Sequence, residues 1–373
     1  DLVTMKWWDN LWLNESFANM MEYLSVDALE PDWHIWETFQ TSEAPAALNR
    51  DATDGVQPVQ MDINNPADID SAFDAAIVYA KGSRMLVMVR ALLGDDALRK
   101  GLKYYFDHHK FGNATGDDLW NALSTATDLD IAKIMHTWLK QPGYPVVSAK
   151  IDDNGHLILS QKQFFIGEGK DVGRTWQIPL NANFDASKIM SEKELDLGNY
   201  KDLRAKAGHA LRLNVGNSSH FIVKYDDTLM KDIMSELNDL DPIAKLQLLQ
   251  DLRLLAEGKQ ISYAEIVPLL VKFADSKSAL VITALYTTAA KLRQFVDPGS
   301  DAEEDLKKFY DKLSAAQVAR LGWMPKKGEN DDDIQIRPYE LSASIYAGDA
   351  ESIKAAHKLY EENEDDLNTL NAD

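Results

Sequence analysis

The run Trp7-Trp8-Asp9-Asn10-Leu11-Trp12-Leu13-Asn14-Glu15-Ser16-Phe17-Ala18-Asn19-Met20-Met21-Glu22-Tyr23-Leu24 constrains this chain more than any other stretch. Trp8, Trp12, Phe17, Met20, Met21 and Leu24 recur at helical spacing, which predicts a helix with an apolar face that must be buried. Glu15 lies in the middle of that run. A carboxylate is seldom fully buried unless it is paired or bound to a metal, because desolvating it alone is costly. Two readings stand side by side. Glu15 sits at the edge of the stripe and reaches water, or it is a metal ligand or paired catalytic carboxylate. Periodicity does not separate them.

Downstream, helical spacing continues to the cluster Gln141-Pro142-Gly143-Tyr144-Pro145. Pro31-Asp32 opens a second helix through Trp33, Trp36 and Phe39, and Asp51 to Asp70 reads as a long surface loop leading into Phe73 to Gly82. Met85, Leu86, Val89, Leu92 and Leu93 form a stripe ending at Gly94. Asp117 and Asp118 stand at a helix start, where acidic side chains are favoured. From Val146 the pattern changes to alternation. Strands are expected at Val146–Ile151, His156–Gln161, Thr175–Phe184, Ala210–Val215 and His220–Tyr225, with a hairpin at Asp153-Asn154-Gly155. Short strands at that density suggest a small β-sandwich. Beyond Asp226 the chain reads as helical hairpins resembling an α-solenoid, at Leu237–Leu255, Ile261–Phe273, Ala279–Phe295 and Leu306–Leu321. Glu329 to Asp333 reads as a solvated acidic loop, and the tail from Glu361 to Asp373 as a segment that frays. The expected organisation is therefore a mainly α multidomain chain: a helical domain over residues 1–142, a β-sandwich over 143–226 and a helical domain over 227–373, the last of which need not be complete.

Charge narrows the partners. With 39 Lys and Arg against 60 Asp and Glu, the net charge of −21 opposes phosphate backbones and anionic lipid, so neither nucleic acid nor a membrane is expected as a partner. No apolar run approaches the length of a membrane span, and no signal peptide is legible at the start. The absence of cysteine removes disulfides and thiol nucleophiles and suits a cytoplasmic protein.

The segment W-W-D-N-L-W-L-N-E-S-F-A resembles the one that follows the zinc-binding helix in the M1 family of zinc aminopeptidases (aminopeptidase N-like, gluzincin clan). That family's pattern is H-E-x-x-H, then eighteen residues, then the Glu of N-E-x-F-A; here fourteen residues precede Glu15. The resemblance implies that Glu15 is a zinc ligand, and that two histidines and a general base lie about four residues ahead of this chain. F-D-A-A-I-V-Y-A-K-G resembles the family stretch in which a Tyr before K-G stands at the active site. It implies that the Tyr79 hydroxyl donates to the oxyanion of the tetrahedral intermediate. The family usually has Ser where Val78 stands, and Gly where Ser16 stands. W-L-K-Q-P-G-Y-P-V-V (Trp138 to Val147) and L-G-W (Leu321 to Trp323) extend the likeness over nearly the whole chain.

What the resemblance implies is a distal, helical, thermolysin-like part of a catalytic domain, followed by a β-sandwich and a HEAT/ARM-like helical domain. Its cofactor is Zn2+, held by a His₂Glu set with an open position for the water it activates. Its substrates are peptides, from which N-terminal residues are released. This chain contains neither H-E-x-x-H nor the family's G-x-M-E-N segment, which holds the substrate's amine. One carboxylate does not retain zinc, so the chain alone is expected to be inactive, its partner being the missing N-terminal half of the same protein. The alternative is a non-catalytic helical scaffold that binds protein partners. His108-His109 with Asp117 and Asp118 form a second conceivable metal cluster, but adjacent histidines on a helix point apart and the aspartates are explained by the helix start.

Overall fold

The structure, a computed structural model, describes residues 2–364. Of the tail expected to fray, residues 365–373 lie outside the described residues, and Glu361 to Asn363 are helical. The fold is mainly α, in two compact units: one runs through Asp239, and the other takes up Leu240–Ala256 and the chain from Gln260 onward.

The first unit opens with strand β1 (Thr4–Met5), then helices α1 (Trp12–Leu29), α2 (Ile35–Thr41) and α3 (Glu43–Asp51). The second expected helix is broken. Pro31–Trp33 is a single 3-10 turn, and His34 takes a left-handed φ of 47° before α2 begins. The long segment after α3 ends in 3-10 turns and a π-helical turn, Ala75–Lys81, which runs without interruption into α4 (Gly82–Leu93). Helix α5 (Asp95–His109) leads to β2 (Asn113–Ala114), which pairs in parallel with β1. Helix α6 (Gly116–Ser124) opens on a capping box in which Thr115 and Asp118 satisfy each other's backbone N–H. Helix α7 (Ile131–Leu139) completes the set, with Asp130 as its N-cap.

The expected hairpin forms: β3 (Pro145–Ile151) and β4 (His156–Gln163) are antiparallel, with Val147 opposite Gln161. Short strands β5 (Ile178–Pro179) and β6 (Ile189–Met190) pair with each other. Strand β7 (Glu194–Asn199) joins β4, helix α8 (Tyr200–Ala207) follows it, and β8 (Ile222–Tyr225) lies parallel to β3, giving the order β7-β4-β3-β8. The strand expected at Thr175–Phe184 shrinks to Ile178–Pro179, and none forms at Ala210–Val215. These segments do exchange backbone bonds, Asn214 N to Leu180 O and Asn183 N to Arg212 O. Asn181 and Asn214 take left-handed φ values of 41° and 55°, which interrupt a continuous ladder. Helix α9 (Asp227–Ser235) closes the unit. Trp12, Trp120, Trp138 and Trp176 are its largest fully buried side chains.

In the second unit, α10 (Pro242–Glu257), α11 (Tyr263–Leu270), α12 (Ala279–Ala290), α13 (Asp301–Leu321), α14 (Asp331–Ala347) and α15 (Ala350–Asn363) follow one another. The acidic run expected as a loop is the start of α14. Asn330 caps it by accepting from Asp333 N, and Asp331 to Asp333 fill its first turn, where the helix dipole favours them. No helix among the described residues is long and apolar enough to cross a membrane.

Candidate active site

Glu15 sits in the first turn of α1, where exposed N–H groups favour a carboxylate. That end of the helix is held firmly. Asn10 Oδ1 accepts from Gly116 N at 2.7 Å, and Trp12 stacks on Trp120 with ring centres 5.2 Å apart. The face of α1 that enters the core is Trp12, Ser16, Met20 and Tyr23, with Leu13 and Asn19 beside it. Phe17 and Met21, expected in that core, are half-buried and instead line an open apolar hollow of about 500 Å³ with Leu13 and Phe106. Glu15 is half-buried at the edge of that hollow and also lines a second one, of about 600 Å³.

Tyr79 stands on the π-helical turn, 64 positions further along the chain, and lines the second hollow. Asp74 starts the turn by accepting from Ala76 N at 3.1 Å and is itself held by Arg50 Nε at 2.7 Å. The two sequence-derived site residues are brought together. Both line the second hollow, and the Glu15 carboxylate acts on the Tyr79 hydroxyl across it. Burial first, then the neighbouring Glu15 carboxylate, raise the hydroxyl above its ordinary value of 10, so it stays a protonated donor throughout the neutral range.

Glu22 and Glu43 add carboxylates to the same hollow. Glu43 is fixed by Asn19 Nδ2 at 3.1 Å and by the Tyr23 hydroxyl at 3.3 Å. Sequence reasoning missed Glu43, because nothing in its local pattern marks it and only the fold of α3 against α1 brings it here. With Glu15 it makes a negatively charged recess, which favours a cationic group over an anionic one.

The turn bearing Tyr79 rests on a buried ionic cluster that was also missed. Lys81 Nζ lies 2.8 Å from Asp51 Oδ2, with both side chains fully buried. His220 Nε2 lies 3.0 Å from the same oxygen, and Arg84 Nε donates to His220 Nδ1 at 3.1 Å. Lys81 and Arg84, three apart in an apolar run, were the available signal; their partners are far off in sequence.

The turn also touches α1 directly. A Cβ on Gly82 would lie 1.9 Å from Ser16 Oγ and 2.7 Å from its Cβ, so only glycine permits this approach. Gly82→Ala is expected to force the turn away from α1 and to destabilise the first unit by about 1–3 kcal/mol, the usual cost of overpacking. Urea denaturation measures this, and an unchanged midpoint would show that the two segments separate freely.

The implied zinc meets an incomplete ligand set in this chain. Glu15 offers one carboxylate, but among the described residues no group of three or more His, Cys, Asp or Glu converges as a metal site. His108 is engaged with its own helix, Nδ1 lying 2.8 Å from Tyr104 O, and Asp117 pairs with His136 at 2.6 Å.

Comparison with known proteins points to one family. Residues 1–138 match the Peptidase family M1 domain, and residues 211–373 match the ERAP1-like C-terminal domain. Aminopeptidase N of Lactobacillus helveticus is 81% identical over all 373 residues of this chain, and Aminopeptidase N of Lactococcus lactis subsp. lactis strain IL1403 is 46% identical over 375 aligned residues. Aminopeptidase M1 of Arabidopsis thaliana is 33% identical over 394 aligned residues, taking in 99% of this chain. The chain spans 44% of the length of each of these relatives. Over residues 1–138 it carries the domain of peptidase family M1.

Proposed function

We propose that this chain carries the distal part of a zinc aminopeptidase active site and acts, together with a segment bearing H-E-x-x-H, to release N-terminal residues from peptides. The observation that carries this reading is the placement of Glu15 and Tyr79 on one acid-lined hollow. Glu15 is the carboxylate ligand for the metal, and Tyr79 is the donor aimed at the oxyanion. The negative recess formed with Glu22 and Glu43 suits a substrate that presents a free α-ammonium group. Zinc, when bound, supplies activation of the attacking water. Within this reading, residues 1–142 are the distal catalytic domain, 143–226 a β-sandwich and 227–373 a HEAT/ARM-like array. A cytoplasmic location goes with the same reading.

Elemental analysis of the purified chain tests it. Zinc is expected near zero for the chain alone. It should rise to about one per molecule, with aminopeptidase activity, when the chain is joined to the H-E-x-x-H segment of an M1 relative, since a catalytic zinc site uses three protein ligands. Stoichiometric zinc on the chain alone would overturn the assignment of Glu15 as the single ligand present. A joined protein that holds zinc but cleaves no peptide would leave the helical scaffold as the better reading.

A further inference from the structure

In an α-helix the N–H of Gly82 would bond the carbonyl of Val78, four residues back. Here it turns to the carbonyls of Ile77 and Tyr79 instead, as the π-helical turn requires. The Val78 carbonyl, immediately before Tyr79, is thereby released from its usual donor. Ser16, immediately after Glu15, supplies a replacement: its Oγ donates to Val78 O at 2.6 Å. Ser16 is fully buried and Val78 nearly so, and an unsatisfied carbonyl in such a place is costly. The bond therefore ties the residue after Glu15 to the residue before Tyr79.

We propose that Ser16 is a positioning residue, whose hydroxyl pins the widened turn to α1 and so sets the separation of Glu15 from Tyr79. This rests on the reading of Glu15 and Tyr79 given above. The side chain stays buried beneath the hollow and does not touch substrate. Its effect is transmitted through the backbone of the turn, where a small displacement of a catalytic donor is enough to slow the reaction.

The decisive comparison is between Ser16→Ala and Ser16→Gly, with Tyr79→Phe as control. All three are made in the zinc-loaded protein that includes the H-E-x-x-H segment and assayed on leucine p-nitroanilide. Alanine removes the donor and leaves a methyl group in its place. Its kcat is expected to fall about tenfold with KM held within about twofold, the signature of a lost transition-state contact. Glycine removes Cβ as well, leaving room for a water to donate to the Val78 carbonyl, so kcat should recover to within about threefold of the parent. Stability should run the other way, because glycine inside a helix is less stable than alanine. If activity instead follows stability, with glycine the slower variant, Ser16 is merely structural and the proposal is overturned; it is equally overturned if alanine matches the parent.

Hydrogen exchange on the chain as it stands separates this proposal from the functional reading beneath it. Ser16→Ala should speed exchange of the amides in residues 79–83 while leaving α7 unchanged. If Tyr79→Phe retains full activity but this local acceleration is seen, the role of Tyr79 fails while the pin survives. If Tyr79→Phe loses activity and exchange in the turn is unaltered, the pin fails alone.

Discussion

Tyr79→Phe in the zinc-loaded, peptide-cleaving protein is expected to lower kcat by about 10²–10³-fold, the cost of removing one preorganised oxyanion donor. The fold should not change. Tyr79 is half-buried beside an open hollow, and the substitution keeps the ring while deleting only the hydroxyl. Glu15 borders the same open hollow, so a water can take the place of the deleted hydroxyl beside it. Zinc content and KM are therefore expected to stay at parental values, so the loss falls on kcat and kcat/KM alike. Steady-state kinetics on a dipeptide and on a chromogenic amide measure this. A kcat within about threefold of the parent would remove Tyr79 from the oxyanion role, since a lost donor costs far more.

Glu15 and Tyr79 stand out as candidates because both lie in short stretches with a strong family likeness; the periodicity around Glu15 leaves its role open. Their surroundings were much less legible, for identifiable reasons. The π-helical turn beneath Tyr79 spans seven residues, too few for its period to be told from an α-helix in the pattern of apolar side chains. The buried face of α1 follows Trp12, Ser16, Met20 and Tyr23, so a small polar residue occupies a core position that hydrophobicity alone passes over. The break at His34 and the interrupted ladder at Asn181 and Asn214 depend on left-handed backbone positions, for which histidine and asparagine are permissive but not diagnostic. The start of α14 differs from its expected loop for another reason. An acidic run reads as solvated loop or as helix start depending on its cap, and Asn330 was the residue to weigh.

The buried cluster under the turn was the least accessible feature, and it carries the largest expected effect on stability. Asp51, at the end of α3, accepts from Lys81 Nζ and His220 Nε2 with one oxygen and from Gly143 N at 2.9 Å with the other. Lys81 also donates to Gly143 O at 3.2 Å, so the Pro/Gly cluster after α7 is latched to the turn that carries Tyr79. Asp51→Ala would leave the Lys81 ammonium buried without its counter-charge. Removing one partner from such a pair costs about 3–5 kcal/mol, enough to unfold a marginal unit. Asp51→Asn keeps the shape but not the charge and should also destabilise.

The same cluster fixes a pH dependence. Arg84 Nε–H donates to His220 Nδ1, so that nitrogen is an acceptor, Nε2 carries the proton toward Asp51, and the ring is neutral. Burial pushes His220 down to about 4; the bond and charge of Asp51 work against this, and the charges of Arg84 and Lys81 reinforce it. Burial alone would raise Asp51, but Lys81 and His220 together carry it below its ordinary value. Between pH 6.5 and 4 the unfolded chain therefore binds a proton at His220 that the folded chain refuses. Stability contributed there is present in full above pH 6.5 and declines as pH falls toward 4, by about 3 kcal/mol for a shift of this size. Depression of Asp51 extends the decline to lower pH. Urea denaturation of the parent and of His220→Gln at pH 7 and pH 4.5 isolates the effect from the chain's many surface carboxylates. The stability lost by the parent over that interval should exceed the loss in the variant, and equal losses would show that His220 does not titrate as this cluster requires.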